Sequence, residues 1–511
     1  MFAQNIFVDI FNIIAAPIQY IQETPVFIMF PVFIIILGLF FRQPLGKSIR
    51  SGILIGIGFI GIFQFVNLFF EYIGPAAEGL FNLFGISLNT LDVGWGLASA
   101  ITWAMPTAIG VIVVCFVVNI ILLALKFTKT LDIDLWNYWA FGFTAALTYV
   151  VLDAAGMDSL ISYLIAMVFA AIHAVLAFKI SDWIAPCMAD PENFNLPGIS
   201  LPHGNAMMAP YAFAIDKVIK KLPVIGTVKA DPDSVQEKYG LIGEPIFIGI
   251  VIGLIIGFFG NLKAWMDSTD IVNAFPEFLT SVLTVGMVSA AVIYLIPKMV
   301  GVLMEGLIPL SEGIREYITK RYPGREFIIG MDMAIIVGYP AVVAVALIMI
   351  PIALVLALLL SILPQPFNGV VLPYADLAGM VFYSVLAVMP SKGNLVRGTI
   401  SGTIQLIFIL MTAGLMAPIM TLAGTNYVDP AYTVTPGTFI TSLDAGSNTI
   451  HWMLILLILP VFGFATFSTQ FGANAEFIWL IIDILWIVGY FGLWYLLRNE
   501  PTKISEEKIH T

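Results

Sequence analysis

The sequence predicts an all-α polytopic membrane protein, with about 11 transmembrane helices plus re-entrant hairpins. Three observations predict it. Of the 511 residues, 60% are hydrophobic and only 11% charged, and the mean hydropathy is +0.98; soluble domains carry about 25% charged residues. The apolar runs are continuous over about 20 residues rather than alternating over about 10, which excludes a β-barrel. Several apolar stretches are also interrupted by Gly, Pro and polar residues. Broken backbone at membrane depth persists only where protein or a water-filled cavity covers it. The formal charge of −11, from 22 Lys and Arg against 33 Asp and Glu, argues against nucleic acid as a partner. Two cysteines, Cys115 and Cys187, make no disulfide framework. His173, His203, His451 and His510 have no metal-ligand spacing, and no cofactor motif appears.

Residues 1–24 mix apolar positions with Asn5, Asp9, Asn12 and Gln19, the pattern of an interfacial amphipathic helix. The first transmembrane half covers 25–240. Its first span, about 25–41, ends at Arg42, Lys47 and Arg50, which the positive-inside rule holds in the cytoplasm, so the N-terminus lies outside. The second, about 51–70, carries small residues that let a helix approach closely. A polar break follows at Asp92, Gly94 and Trp95, then helices at about 103–125, 136–152 and 157–179. The helix at 136 opens with D-I-D-L-W-N-Y-W, which includes Asn137 and Trp139.

The stretch L-P-G-I-S-L-P-H-G-N-A-M-M-A-P (196–210) is the most telling. Pro197, Gly198, Pro202, Gly204 and Pro210 break any helical ladder. His203 and Asn205 can hydrogen-bond a polyhydroxyl ligand. It reads as a re-entrant hairpin over about 196–215. The basic loop 216–240 is the expected contact for a soluble partner.

The second half covers 241–497, with Glu244 at its inner mouth. Helices are expected at about 241–260 and 275–297, with an amphipathic piece at 298–322. A second re-entrant segment at about 326–340 places Asp332 in an apolar run. Spans at about 341–362, 373–390 and 398–424 follow. An outer re-entrant segment at about 440–470 holds S-L-D-A-G-S-N-T-I-H-W, with Asp444. A last helix at about 475–497 precedes a cytoplasmic tail, 498–511. The Gly-Ile texture shared by 51–66 and 241–260 hints at an inverted repeat, a common transporter plan. A charge deep in a bilayer costs about 2.5–3.5 kcal/mol and is functional by default. Asp92, Glu244, Asp332 and Asp444, all beside Gly or Pro breaks, are therefore candidates. No P-loop or other nucleotide motif occurs, so an energy source lies in an ion gradient or another protein.

Several ordered blocks carry a resemblance: D-V-G-W (92–95), D-I-D-L-W-N-Y-W (132–139), G-I-S-L-P-H-G (198–204), E-K-Y-G-L-I-G-E-P (237–245), 326–343, L-P-Y-A-D-L-A-G (372–379) and G-N-L-V-R-G-T-I-S-G (393–402). From about 50 to 455 the chain resembles the galactitol-type membrane component, enzyme IIC, of the bacterial phosphoenolpyruvate-dependent sugar phosphotransferase system. It is similar to the ascorbate transporter of the same superfamily. That resemblance implies a homodimeric permease of the cytoplasmic membrane, with core and scaffold domains working as an elevator. A separate IIB protein, charged by IIA, would phosphorylate the substrate from a phosphocysteine. His203 and Asp332 match the hairpin histidine and aspartate of the family. Ala140 and Tyr339 depart from it, standing where the galactitol pattern has histidine, so another polyol or sugar stays open. The expected binding set is His203, Asn205, Asp332, Glu244, Asp92, Trp95, Trp139 and Asn137, with Asp332 or His203 as proton acceptor. The alternative is a proton-coupled secondary transporter of an unmodified polyol or sugar.

Overall fold

The computed structural model describes residues 26–84, 90–92, 94, 95, 98, 101, 102, 105–228, 230, 245–321, 326–364, 367, 371, 373, 375–377, 379–427, 439–462 and 474–506. The expected N-terminal interfacial helix, Glu244 and residues 229 and 231–240 of the basic loop 216–240 lie outside those residues.

One bundle of helices is built from α1 (Val26–Phe40), α2 (Leu45–Phe84), α7 (Pro245–Met266) and α8 (Ile271–Arg321). Small residues set its spacing. A Cβ added at Gly260 would lie 2.0 Å from the Ala76 carbonyl oxygen, so α7 and α2 touch backbone to backbone there. Gly52 and Gly56 of α2 face Pro31 of α1 in the same way, and Gly61 faces Met299 of α8. The glycine-rich face expected of residues 51–66 is thus a packing face.

The second body contains α3 (Ala108–Ala124), α4 (Leu135–Ala154), α5 (Ser159–Ala189), α6 (Ala209–Ile219), α9 (Pro340–Ser361), α10 (Met380–Val388), α11 (Leu395–Tyr427), α12 (Leu443–Ser447), α13 (Thr449–Phe462), α14 (Ala475–Leu496) and α15 (Glu500–Glu506). It meets the first bundle mainly where α9 crosses α7 and α8. Two small parallel sheets lie within it. One pairs β1 (Thr90–Asp92) with β5 (Phe439–Thr441). The other has the order β2 (Thr130–Asp132), β4 (Ile328–Gly330), β3 (Ile199–Ser200). Gly330 is required in the middle strand, since a Cβ there would stand 2.9 Å from the Asp132 Cα and from Pro202.

Among the described residues, six helices are long and apolar enough to cross a bilayer, lying within α5, α7, α8, α9, α11 and α14. Two shorter apolar helices, Gly110–Ala124 and Thr449–Pro460, join them. Some expected boundaries are corrected. The helix placed at 51–70 runs on through Pro75 to Phe84, and the span and separate amphipathic piece expected at 275–297 and 298–322 are one helix of 51 residues, Ile271–Arg321. Residues 373–390 do not make a continuous span: a one-turn helix at Ala375–Leu377 is followed by the nine-residue α10.

Candidate functional site

Sheet order places the two expected hairpins side by side. Strands β3 and β4 are hydrogen-bonded neighbours running the same way, with Ser200 opposite Gly330, and β2 runs beside β4 with Asp132 opposite Gly330. Neighbouring strands lie about 4.8 Å apart, so residues just beyond one end of a parallel ladder emerge together. Those residues are Asp134 after β2, Asp332 after β4 and His203 after β3. The Asp332 backbone N–H donates to Asp134 Oδ2 at 2.8 Å, joining the two segments.

His203 and Asp332 then face each other, with Nε2 to Oδ2 at 3.5 Å and side chains only 10% and 12% exposed. Each is also the cap of its own one-turn helix. His203 Nδ1 accepts from the Asn205 N–H at 3.1 Å, and Asp332 Oδ1 accepts from the Ala334 N–H at 2.7 Å. Because Nδ1 is an acceptor, the neutral imidazole carries its proton on Nε2 and aims it at Asp332. At 3.5 Å this contact is long for a hydrogen bond, so Oδ2 is less committed than Oδ1.

The hairpin tip Gly204–Met208 packs against α4, α5, α6, α10, α12 and α13. Asn205 Oδ1 accepts from the Ser447 hydroxyl at 2.8 Å, while its amide nitrogen is buried without a partner. On α4, Asp134 caps the helix by accepting from the Trp136 N–H. Asn137 Nδ2 donates to Asp132 Oδ1 at 2.9 Å, leaving Asn137 Oδ1 buried and unpartnered. The Trp139 indole N–H is likewise buried and unpartnered, its ring stacked on Phe143 with centroids 5.4 Å apart.

Asp92 has a different setting. Its Oδ1 accepts from the Gly94 N–H and its Oδ2 from the Asp376 N–H. Asp376 in turn accepts from the Trp95 N–H, the Ser442 hydroxyl and the Leu443 N–H. This second cluster binds the β1–β5 break to the turn at Ala375–Leu377. It approaches the first cluster through Trp95, whose ring meets Trp136 edge-on at 5.7 Å. Tyr383 hydrogen-bonds Asp444 beside it.

The structure thus brings His203, Asn205 and Asp332 together, with Asn137 and Trp139 on the adjoining helix and Trp95 one aromatic contact away. Asp92 accepts from the backbone amides of Gly94 and Asp376. Sequence reasoning did not single out Asp134, Asp376 or Ser447. The first lies in the D-I-D block and the last in the polar run 442–452, both visible as polar breaks. Among the described residues no group of three or more His, Cys, Asp or Glu side chains can hold a metal ion.

Residues 20–431 match the family EIIC-GAT, the PTS system sugar-specific permease component. The chain belongs to this family. The permease is 33% identical over 495 residues to the PTS system galactitol-specific EIIC component of Escherichia coli K12, covering 96% of this chain and 98% of the relative. The same figures hold for the protein of that name in Escherichia coli O157:H7. A permease IIC component of Escherichia coli K12 is 34% identical over 404 residues, covering 79% of this chain and 85% of that one. Family membership and the apolar helices together make the permease a multi-pass protein of the inner membrane.

Proposed function

We propose that this permease binds an uncharged polyol of the galactitol type and carries it inward for phosphorylation by a separate IIB component, itself charged by IIA. The relatives named galactitol-specific align over nearly the whole chain. The observation that carries the reading is a set of buried polar atoms without partners beside the His203–Asp332 pair: Asn205 Nδ2, Asn137 Oδ1 and the Trp139 N–H. A buried donor or acceptor left unmade costs about 1–3 kcal/mol, and a hydroxyl, able to donate and accept, relieves either kind. Asp132, Asp134 and Asp332 crowd one face of the site with carboxyl oxygens, which hydroxyl donors can meet.

In this reading His203, Asn205, Asp332, Asn137 and Trp139 bind hydroxyls, Trp95 completes the walls, Asp92 positions Trp95 through Asp376, and Glu244 is proposed from the sequence alone as a further hydroxyl partner. Phosphorylation requires a hydroxyl in line with the phosphorus and a group to receive its proton. Asp332 Oδ2 or His203 would receive it, and the phosphoryl group would pass from the IIB phosphocysteine to the substrate oxygen. Cys115 and Cys187 are buried and donate to the carbonyls of Ala170 and Pro501, which supports an external nucleophile. The wider architecture we propose has about 11 spans arranged as inverted repeats. The body bearing the hairpins would slide as an elevator past the α1–α2–α7–α8 scaffold in a homodimer, with the N-terminus outside and the C-terminus in the cytoplasm.

The test is chemical analysis of the solute accumulated by membrane vesicles given labelled galactitol. A phosphate ester that forms only when IIB, IIA and phosphoenolpyruvate are added supports the proposal. Free galactitol that accumulates without them and leaks away when the proton gradient collapses replaces it with a proton-coupled transporter.

A further inference from the structure

The break between α12 and α13 carries polar groups that none of the roles above uses. Ser447 at the end of α12 donates to Asn205 Oδ1, which fixes the Asn205 amide with its nitrogen turned away. The next residue, Asn448, lies against the hairpin tip. A Cβ built on Gly204 would stand 3.1 Å from the Asn448 carboxamide carbon and nitrogen, and 3.1 Å from the Ala140 Cβ. Asn448 is 1% exposed, and both its Oδ1 and its Nδ2 lack a hydrogen-bond partner. His451 follows on the first turn of α13, fully buried, its ring stacked on Phe143 at 4.7 Å and 4°. Trp139 also stacks on Phe143, with centroids 5.4 Å apart. Both His451 nitrogens lack a partner.

Native interiors contain few such atoms, and a cluster of them calls for an explanation. Here they are carried by elements packed against one another: the hairpin tip, the α12–α13 break with the first turn of α13, and α4. The break itself is firmly held. Its Gly446 carbonyl accepts from both the Thr412 hydroxyl and the Trp452 indole, so Asn448 is oriented before any ligand arrives. The stack on Phe143 orients His451 in the same sense.

We propose that Asn448 and His451 form a further wall of the substrate site and hydrogen-bond hydroxyls of the bound polyol, setting which polyol is accepted. This rests on the polyol reading above and extends it to a segment that lies beyond the residues matched to the family. Asn448 offers one donor and one acceptor side by side, which suits two vicinal hydroxyls of fixed relative configuration. His451 offers one donor and one acceptor at the edge of an immobilised ring.

The test is equilibrium binding of labelled galactitol to the purified full-length permease, with His451→Phe and Asn448→Ala. Phe retains the flat ring on Phe143 and removes both nitrogens. We expect affinity to fall about tenfold or more in each variant, while the thermal midpoint of ligand-free His451→Phe stays level or rises, because an unpartnered buried polar group has been removed. A solely structural histidine would give the opposite pair of results: affinity unchanged and the midpoint lowered. If Asn448→Ala does not fold, a deoxygalactitol series on wild type and His451→Phe serves instead. The hydroxyl whose removal weakens wild type but leaves the variant's affinity unaltered is the one His451 meets. Affinities in both variants indistinguishable from wild type overturn the proposal and leave the polyol reading standing. A wild-type permease that binds neither galactitol nor other hexitols overturns both.

Discussion

Replacing Asp332 by Asn separates the chemistry of the hairpin pair from its architecture. Asp332 has three engagements. Its backbone N–H goes to Asp134 Oδ2, its Oδ1 caps the following turn at the Ala334 N–H, and its Oδ2 faces His203 Nε2 at 3.5 Å. Asn keeps the first two, since its remaining oxygen can serve Ala334. The amide nitrogen must then face His203, whose Nε2 already carries the proton because Nδ1 accepts from Asn205. Two donors would meet where a donor and an acceptor stood.

A hydrogen bond to a charged group contributes about 1.5–3 kcal/mol, so a substrate hydroxyl bridging this pair should bind about 10- to 150-fold more weakly. Uptake coupled to phosphorylation should fall further, because an amide cannot receive the hydroxyl proton and positioned proton acceptors contribute about 10²–10⁴-fold. Insertion and thermal stability should be nearly those of wild type. The assays are galactitol binding to purified protein and phosphate-ester formation in vesicles supplied with IIB and IIA. Wild-type affinity together with wild-type ester formation would refute the reasoning and return Asp332 to a capping role alone.

Other perturbations test the framework. Asp134→Ala removes both the cap of α4 and the acceptor for the Asp332 N–H, and should lower stability by about 1–3 kcal/mol while weakening galactitol binding; a thermal melt and a titration on one sample read both. Gly260→Ala places a methyl 2.0 Å from the Ala76 carbonyl and must push α7 away from α2, so the thermal midpoint should drop in a melt of the purified protein. Arg397 forks onto both oxygens of Asp216, with only 12% and 4% of the two side chains exposed, and Arg397→Ala should destabilise by about 3–5 kcal/mol, seen as loss of folded protein in size-exclusion profiles after extraction.

Much of this was legible before the structure. The hairpin at 196–215 was readable because Pro and Gly forbid a helix while His203 and Asn205 forbid lipid exposure. The pairing of His203 with Asp332 was implied by family resemblance but not by spacing, since 129 residues separate them and the link is a strand pairing of Ile199–Ser200 with Ile329–Gly330. A two-residue strand has no periodicity to detect. The long helices α2 and α8 were cut short because Glu71 and Pro75, and likewise Pro297 with Lys298, look like boundaries. In a packed bundle neighbouring helices tolerate a proline within the ladder. The polar run at 442–452 was visible as a break, but its partner was not: the Ser447 contact with Asn205 spans 242 residues.

The intramembrane acids divide by what their oxygens already hold. In lipid every backbone N–H freed by a broken helix needs an acceptor, and each one left bare costs several kcal/mol. The two sheets are too small to supply enough. At the outer edge of β2, Asn119 completes the ladder, accepting from the Asp132 N–H and donating to the Thr130 carbonyl. Asp92 takes the amides of Gly94 and Asp376, Asp376 those of Trp95 and Leu443, and Asp134 those of Trp136 and Asp332. T-L-D occurs at both β1 and β2, so each sheet begins with the same strand and is fastened by a carboxylate at its end. These acids hold broken backbone in place. Asp332 spends one oxygen in that way, on Ala334, and keeps the other opposite a histidine proton at a distance that a hydroxyl can improve. Equal treatment of every buried acid therefore overestimates the binding set: an acid with a backbone donor on each oxygen is scaffolding, and the Asp332 oxygen left toward His203 is where a solute can exchange water for protein.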